Sequence, residues 1–520
     1  MIARTLALLH RALRVDARML RTHLFRAALI GIVIVELFDA NQPWVGAPGL
    51  QFFRWLQFYN FWFITFAGAT FFSTCITEEK EELTLGLLKL AGVSPVSLLL
   101  GKWTPRLVGA LFLLSVQFPF MLLAITLGGV LMHQAVASYC ALAAHLLLVG
   151  AAGLLASVVC RKSTGACLLT GFLLGSFLLG PYIVEKVAEV LSDGGVIPDP
   201  AYEAVAGACR WVLQSSGQEQ LDAILATGFN EPALSVQVVV NVATAALLFG
   251  AAWLLFGPCT RNELASVAAG GGWWSRIIRL GRSRPWSAAL PWKEFCLTCG
   301  GVPVVLMKIV AYAALIAAIF LYNYPQYYKY ADVSEQLAGV MLSTMLAVLV
   351  LEAAVIAARI FRSETRAQTW PSLILLPRTL PETAYAKIGG SLLSLGPALA
   401  YFVTGFFIEP EILEDLLESV IFYDQFFVFS YFLCQLALFL HLITLLSILW
   451  TWAAWPVSIF FGGFIIIMGH ALVGGCCALS EFRGPADEEA VFFVGSVFTI
   501  VLVASVHLWI GQQLSRLAAA

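Results

Sequence analysis

Four carboxylates fall within five residues at Glu78, Glu79, Glu81 and Glu82, with Lys80 between them. Their chemistry is electrostatic, suited to docking an aqueous partner, and the plain alternative is a solvated loop carrying a charge run. Glu352 is a second point of interest, because it lies inside the apolar run LVLEAAVIAAR. A carboxylate at the centre of a membrane helix costs roughly 2.5–3.5 kcal/mol, so it must face protein, water or a base. A structural salt bridge and a substrate or proton site fit it equally well. Gly101-Lys102 resembles the end of a phosphate loop, but G-x-x-x-x-G-K-[ST] requires Gly at Val96 and Ser or Thr at Trp103, and both fail. Cys296-x-x-Cys299 has no second pair or His at metal spacing. The histidines His133, His145, His441, His470 and His507 are dispersed, with no H-E-x-x-H and no nucleophile elbow. The residues predict no enzyme, no metal site and no nucleotide site in this chain.

The carboxylates open a distinctive stretch, TEEKEELTLGLLKLAGVSPVSLLLGK, from Thr77 to Lys102. Thr77 is placed to cap a helix, and acidic residues in a first turn complement the helix dipole. Leu83, Leu85, Leu87, Leu88 and Leu90 continue it, and Gly92 breaks it. Ser94-Pro95 reads as the cap and first residue of a second short helix, ending at Gly101-Lys102 where the next apolar segment begins.

The elements around this stretch are membrane spans. The 520 residues are 60% hydrophobic and only 12% charged, with mean hydropathy +0.86; soluble domains carry about 25% charged residues. Balanced charge, 30 basic against 32 acidic, gives no basic arm for nucleic acid. The eleven cysteines are scattered through apolar runs and form no disulfide framework. Segments of about 20 apolar residues predict helices near 25–39, 56–76, 105–131, 135–160, 164–184 and 235–257. A second set falls near 302–322, 337–358, 389–408, 426–448, 450–475 and 490–511. The reading is therefore an all-α polytopic membrane protein of about twelve transmembrane helices, in two six-helix repeats. The halves are 24–257 and 301–520, joined by a basic cytoplasmic linker at 258–300. Residues 1–23 carry Arg4, Arg11, Arg14, Arg18 and Arg21 beside a leucine stripe, as an amphipathic interfacial helix or a basic leader would. Aromatic clusters at Trp55 to Phe63, Tyr322 to Tyr330 and Trp450 to Trp455 suit interfacial belts.

Lys and Arg concentrate on one side of this layout. The N-terminal stripe, the 77–102 loop, the linker and the segment 359–387 hold 19 of the 30, whereas the outer loops 185–234 and 409–425 are acidic. By the positive-inside rule both termini are cytoplasmic and the chain is a multi-pass protein of the cell (inner or plasma) membrane. The halves echo each other. Glu79 and Thr84 stand 285 residues before Glu364 and Thr369, and Pro95 stands 286 before Pro381, although RSETRAQTWPSLILLPRTLPETAYAK is basic where the first stretch is acidic. Repeated halves that rock against each other are a common transporter plan.

At Glu79-Lys80-Glu81, Thr84-Leu85, Leu87-Leu88, Ser94-Pro95 and Gly101-Lys102 the chain resembles the membrane (permease) subunit of type-2 ABC exporters. It departs from that pattern at Leu83, where the family often has Gly. The resemblance implies that 77–102 is a coupling helix through which Glu78, Glu79, Lys80, Glu81, Glu82, Leu83, Thr84, Leu87, Leu88, Ser94, Pro95, Gly101 and Lys102 meet a separate ABC ATPase subunit. It implies Arg362, Glu364, Arg366, Thr369 and Pro381 as the second-half counterpart. Two ATPase copies would bind the ATP and Mg, with no cofactor in this chain, and the other partner is the lipid bilayer. Two further readings stay open: an ion-gradient-driven secondary transporter using Glu352, and a non-transporting membrane scaffold.

Overall fold

A chain this apolar can satisfy its backbone in lipid only by bonding within helices or closed barrels. The computed structural model describes residues 47–178, 180–193, 197–226, 229–260, 286–327, 333–366, 368–422, 426–449 and 485–519, with isolated positions in 30–33 and 458–466. Every regular element among the described residues is helical. The chain divides into two compact units between Ser266 and Val267, within the predicted linker.

In the first unit, α1 (Pro48–Phe63) passes through a π-helical turn (Ile64–Gly68) into α2 (Ala69–Ser73). Two short helices follow, α3 (Thr77–Glu81) and α4 (Leu85–Leu90), and then α5 (Pro95–Ser115) and α6 (Phe118–Thr126). The long α7 (Met132–Val159) is the axis of this unit, and most of its length is buried. Gly153 permits a close crossing: a Cβ there would lie 2.6 Å from the Phe72 Cβ and 3.0 Å from the Ser73 nitrogen. Small residues let membrane helices approach this closely. Then come α8 (Ser163–Leu178), α9 (Gly180–Asp193), α10 (Asp199–Gln214), α11 (Gly217–Leu225) and α12 (Val236–Thr260). The acidic loop predicted at 185–234 is thus largely helical. Its α11 inserts Leu221 and Ile224 into the main core, where Gln134 donates to the Ile224 carbonyl at 2.8 Å.

The second unit opens with α13 (Ala289–Lys293) and a π-helical turn (Glu294–Thr298), followed by α14 (Gly301–Tyr327) and α15 (Val333–Arg359). Short helices α16 (Arg362–Arg366) and α17 (Trp370–Ile374) lead into α18 (Leu380–Leu392), a 3₁₀ turn (Leu393–Leu395) and α19 (Gly396–Ile408). The unit ends with α20 (Pro410–Phe422), α21 (Phe426–Leu449) and α22 (Pro485–Ala519).

Among the described residues eight helices are long and apolar enough to cross a membrane, or nine if the pair Gly165–Leu178 and Gly180–Glu189, bent by 49°, is one span. This is a multi-pass all-α membrane protein, with fewer countable spans than the twelve expected. The predicted 56–76 span is the run α1–π turn–α2, which starts earlier and is divided by the π turn. The expected spans at 25–39 and 450–475 fall largely outside the described residues, as do the helix at 1–23, most of the linker and the belt at Trp450 to Trp455.

Candidate functional site: the 77–102 loop and its counterpart

Charges of the first loop bond the helices behind it. Lys80 is buried, and its ammonium donates to the carbonyls of Ser157 (3.0 Å), Val158 (2.5 Å) and Cys160 (2.9 Å). These belong to the C-terminal end of α7, where unpaired carbonyls and the negative end of the dipole favour a cation. Glu81 does the converse. Its carboxylate accepts the Ser163 backbone N–H at 2.6 Å, at the first residue of α8. Lys89 donates to the Thr260 carbonyl at 2.7 Å, the last residue of α12, and lies 5.5 Å from the centre of the Phe256 ring. Glu78 pairs with Arg106 at 2.7 Å, and Glu79 pairs with Lys102, both partners on α5. Four helices behind the loop are therefore tied to it by charge.

Glu78, Glu79 and Glu81 thus each bond a helix behind the loop, in addition to whatever they present to solvent. Glu82 has no such tie, and with it Glu81 and three of the leucines are exposed. Leu83, Leu87 and Leu90 are 63%, 66% and 86% exposed, whereas Leu85 is buried and Leu88 packs against the core. Two local expectations change. Thr77 lies inside α3 and caps nothing; its hydroxyl donates to the Ser73 carbonyl and meets the Ser163 hydroxyl, each at 3.0 Å. The second short helix is no separate element. Ser94 does cap it, accepting from the Ser97 N–H, but α5 runs unbroken from Pro95 past Gly101 and Lys102 into the apolar span. Loop and span are one rod.

Between α3 and α4 the chain turns through Leu83 at φ 58°, a left-handed conformation that costs an L-residue roughly 1–2 kcal/mol. The turn is closed by the Thr84 N–H on the Glu79 carbonyl at 3.0 Å and by the Thr84 hydroxyl on the Glu79 carboxylate. Glycine adopts this conformation freely, so the strain at Leu83 comes from its side chain. Leu83→Gly is expected to stabilise the protein by about 1 kcal/mol, read as a higher unfolding temperature in detergent, while trimming the exposed ridge.

Burial alone would raise the Glu79 pKa, but hydrogen bonds from Lys102 and Thr84 outweigh it and hold the carboxyl below its ordinary range. The unfolded chain then takes up the proton more readily than the folded one. The stabilisation is complete above the ordinary carboxylate value and drains away as pH falls through the lowered folded value. Unfolding temperature should therefore show no Glu79-linked change between pH 7 and 6, and Glu79→Gln should flatten part of the decline at strongly acidic pH.

The second unit repeats this plan at a constant offset. The helices α16, α17 and α18 begin at Arg362, Trp370 and Leu380, each 285 residues after Thr77, Leu85 and Pro95, the first residues of α3, α4 and α5. Gln368 takes φ 54°, 285 after Leu83. Thr369 closes the turn as Thr84 does, with its N–H on the Glu364 carbonyl at 3.0 Å and its hydroxyl on the Glu364 carboxylate. Thr379 caps α18 in the register of Ser94, reinforced by a capping box with Glu382, and Pro381 sits one place further along than Pro95. Lys387, in the register of Lys102, bonds Glu364 at 3.1 Å. It is also paired with Glu294, and Lys293 reaches Glu364 at 2.6 Å. This four-charge cluster ties the segment before α14 to the loop, where a Cβ on Gly390 would fall 2.4 Å from the Pro291 carbonyl oxygen. Glu364 and Thr369 were legible as counterparts, while Lys387, Glu294 and Lys293 were not singled out. The usable signal was the shared Lys at position 102 plus 285.

Glu352 is far from bare. Its carboxylate pairs with Lys308 at 2.5 Å and accepts from the Tyr312 hydroxyl, both on α14. Its second oxygen is buried with no hydrogen-bond partner. Lys308 also reaches the Ser394 carbonyl at 3.0 Å. A lysine in the apolar run one span earlier was the available sign. Cys296 is buried and Cys299 partly so, both as free thiols. Among the described residues no group of His, Cys, Asp or Glu is placed to hold a metal. The chain matches no family model and no curated protein.

Proposed function

We propose that the chain is the permease subunit of an ATP-driven exporter, set in the cell membrane and energised through Thr77–Lys102 by separate ABC ATPase subunits. In this reading it has twelve spans in two six-helix halves, with both termini in the cytoplasm. The observation that carries it is the bracing of the loop, with charges bonded to α5, α7, α8 and α12 and Leu83, Leu87 and Leu90 turned outward. A solvated loop has no need of such fastening. An apolar ridge on a braced support suits a partner groove, and a push there would reach four helices at once. The resemblance at Glu79-Lys80-Glu81, Thr84-Leu85 and Gly101-Lys102 supplies the class of partner.

The ion pair of Glu352 with Lys308 supports a structural role for that carboxylate. Reconstitution separates the two transport readings. Vesicles holding the chain alone should show no proton uptake, and Glu352→Gln should leave ATP hydrolysis by the complex within about twofold of wild type. Gradient-driven proton uptake by the chain alone, abolished by Glu352→Gln, would overturn the proposal.

A further inference from the structure

The two loops share a scaffold but not a surface. Over the matched windows 77–94 and 362–379, Glu78, Glu79, Glu81 and Glu82 against Lys80 and Lys89 give a net charge of −2; Arg362, Arg366 and Arg378 against Glu364 give +2. The outward apolar positions diverge as well. Leu90 has its register mate in Leu375, 86% and 87% exposed, but Leu83 and Leu87 are matched by Gln368 and Ser372. The fixed positions, by contrast, are kept: Leu85 and Trp370 are both buried, as are Ile76 and Phe361. The buried positions of each loop have been held, while the exposed ones differ: Glu82 lies exposed in the first loop and Arg378 in the second, and two exposed leucines are replaced by Gln368 and Ser372.

Resting on the exporter reading, we infer that the second loop docks a second, non-identical ATPase subunit or domain, one whose receiving face is rimmed with carboxylates and has a smaller apolar pocket. A partner face built for the first loop fits the second poorly: the net charge is reversed, and the apolar sites for Leu83 and Leu87 would meet Gln368 and Ser372. The energising ATPase is therefore a pair of unlike halves, each keyed to its own loop.

A photo-crosslinking amino acid placed at Leu87 in one variant and at Leu375 in another tests this in the intact complex, with crosslinked peptides sequenced by mass spectrometry. The expected result is two ATPase peptides of different sequence, with that from Leu375 flanked by Asp and Glu. The same peptide at both positions overturns the inference. So does a crosslink from Leu87 to an ATPase with lipid alone, or nothing, at Leu375; the exporter reading survives both results. No ATPase peptide at either position removes the exporter reading and the inference with it.

Discussion

Lys387→Ala is expected to destabilise the protein by about 3–5 kcal/mol, the usual consequence of removing one partner from a buried ion pair. Lys387 is 0% exposed and holds two carboxylates, Glu294 and Glu364. Its loss leaves Glu294 buried beside a carboxylate of the same sign, with Lys293 still on Glu364. Its register mate gives the comparison. The Lys102 head is about one-third exposed, so Lys102→Ala should cost under about 1 kcal/mol, in the range of solvent-screened pairs. Thermal unfolding of the two variants in the same detergent checks this directly. Comparable small shifts for both would mean that the buried cluster does not hold the second loop. A triple replacement of Lys387, Glu294 and Glu364 by apolar residues of similar volume should recover much of the loss, because well-packed apolar groups can replace buried charges.

The second large effect separates docking from folding. Leu87→Asp with Leu90→Asp changes two side chains that already face away from the unit, and exposed substitutions usually stay within about 0.5 kcal/mol in stability. Burying a leucine in a partner is worth about 1.5–3 kcal/mol, so losing two should weaken association about 10²–10⁴-fold. The unfolding temperature should stay put while ATPase association disappears. Glu79→Lys, the substitution suggested by a docking carboxylate, is a poorer probe: it sets a cation against Lys102 and opens the turn at Thr84, so its effect would mix folding with binding.

How far the sequence foretold these features follows from what each depends on. Apolar runs near 20 residues are a matter of composition, so spans such as Met132–Val159 and Phe426–Leu449 were legible to within a few residues. The repeat was legible at Glu79/Glu364 and Thr84/Thr369, because the Glu-to-Thr turn fixes both residue types at fixed spacing. The direction of the charges was not. Lys80 and Glu81 are recognisable as plugs for helix ends only once α7 and α8 place a C-terminus and an N-terminus beside them, contacts some 80 residues apart in sequence. A charge run beside a leucine run therefore read as a polar face outward, the soluble-protein default, although the helix ends behind the loop bond part of it. Thr77 failed as a cap for a similar reason: Ser163 offered its hydroxyl a tertiary partner. Glu352 drew attention alone since Lys308 and Tyr312 lie on another helix.

The measurement that bears most directly on the central claim is co-purification in mild detergent with an ATPase assay of the eluate. Three forms are compared: wild type, Leu87→Asp/Leu90→Asp and Glu82→Gln. The account predicts ATP hydrolysis with the wild type, near-complete loss with the double leucine variant at unchanged yield and unfolding temperature, and retention of most activity with Glu82→Gln. An eluate with no ATPase, or one equally active when the ridge carries two aspartates, would contradict it.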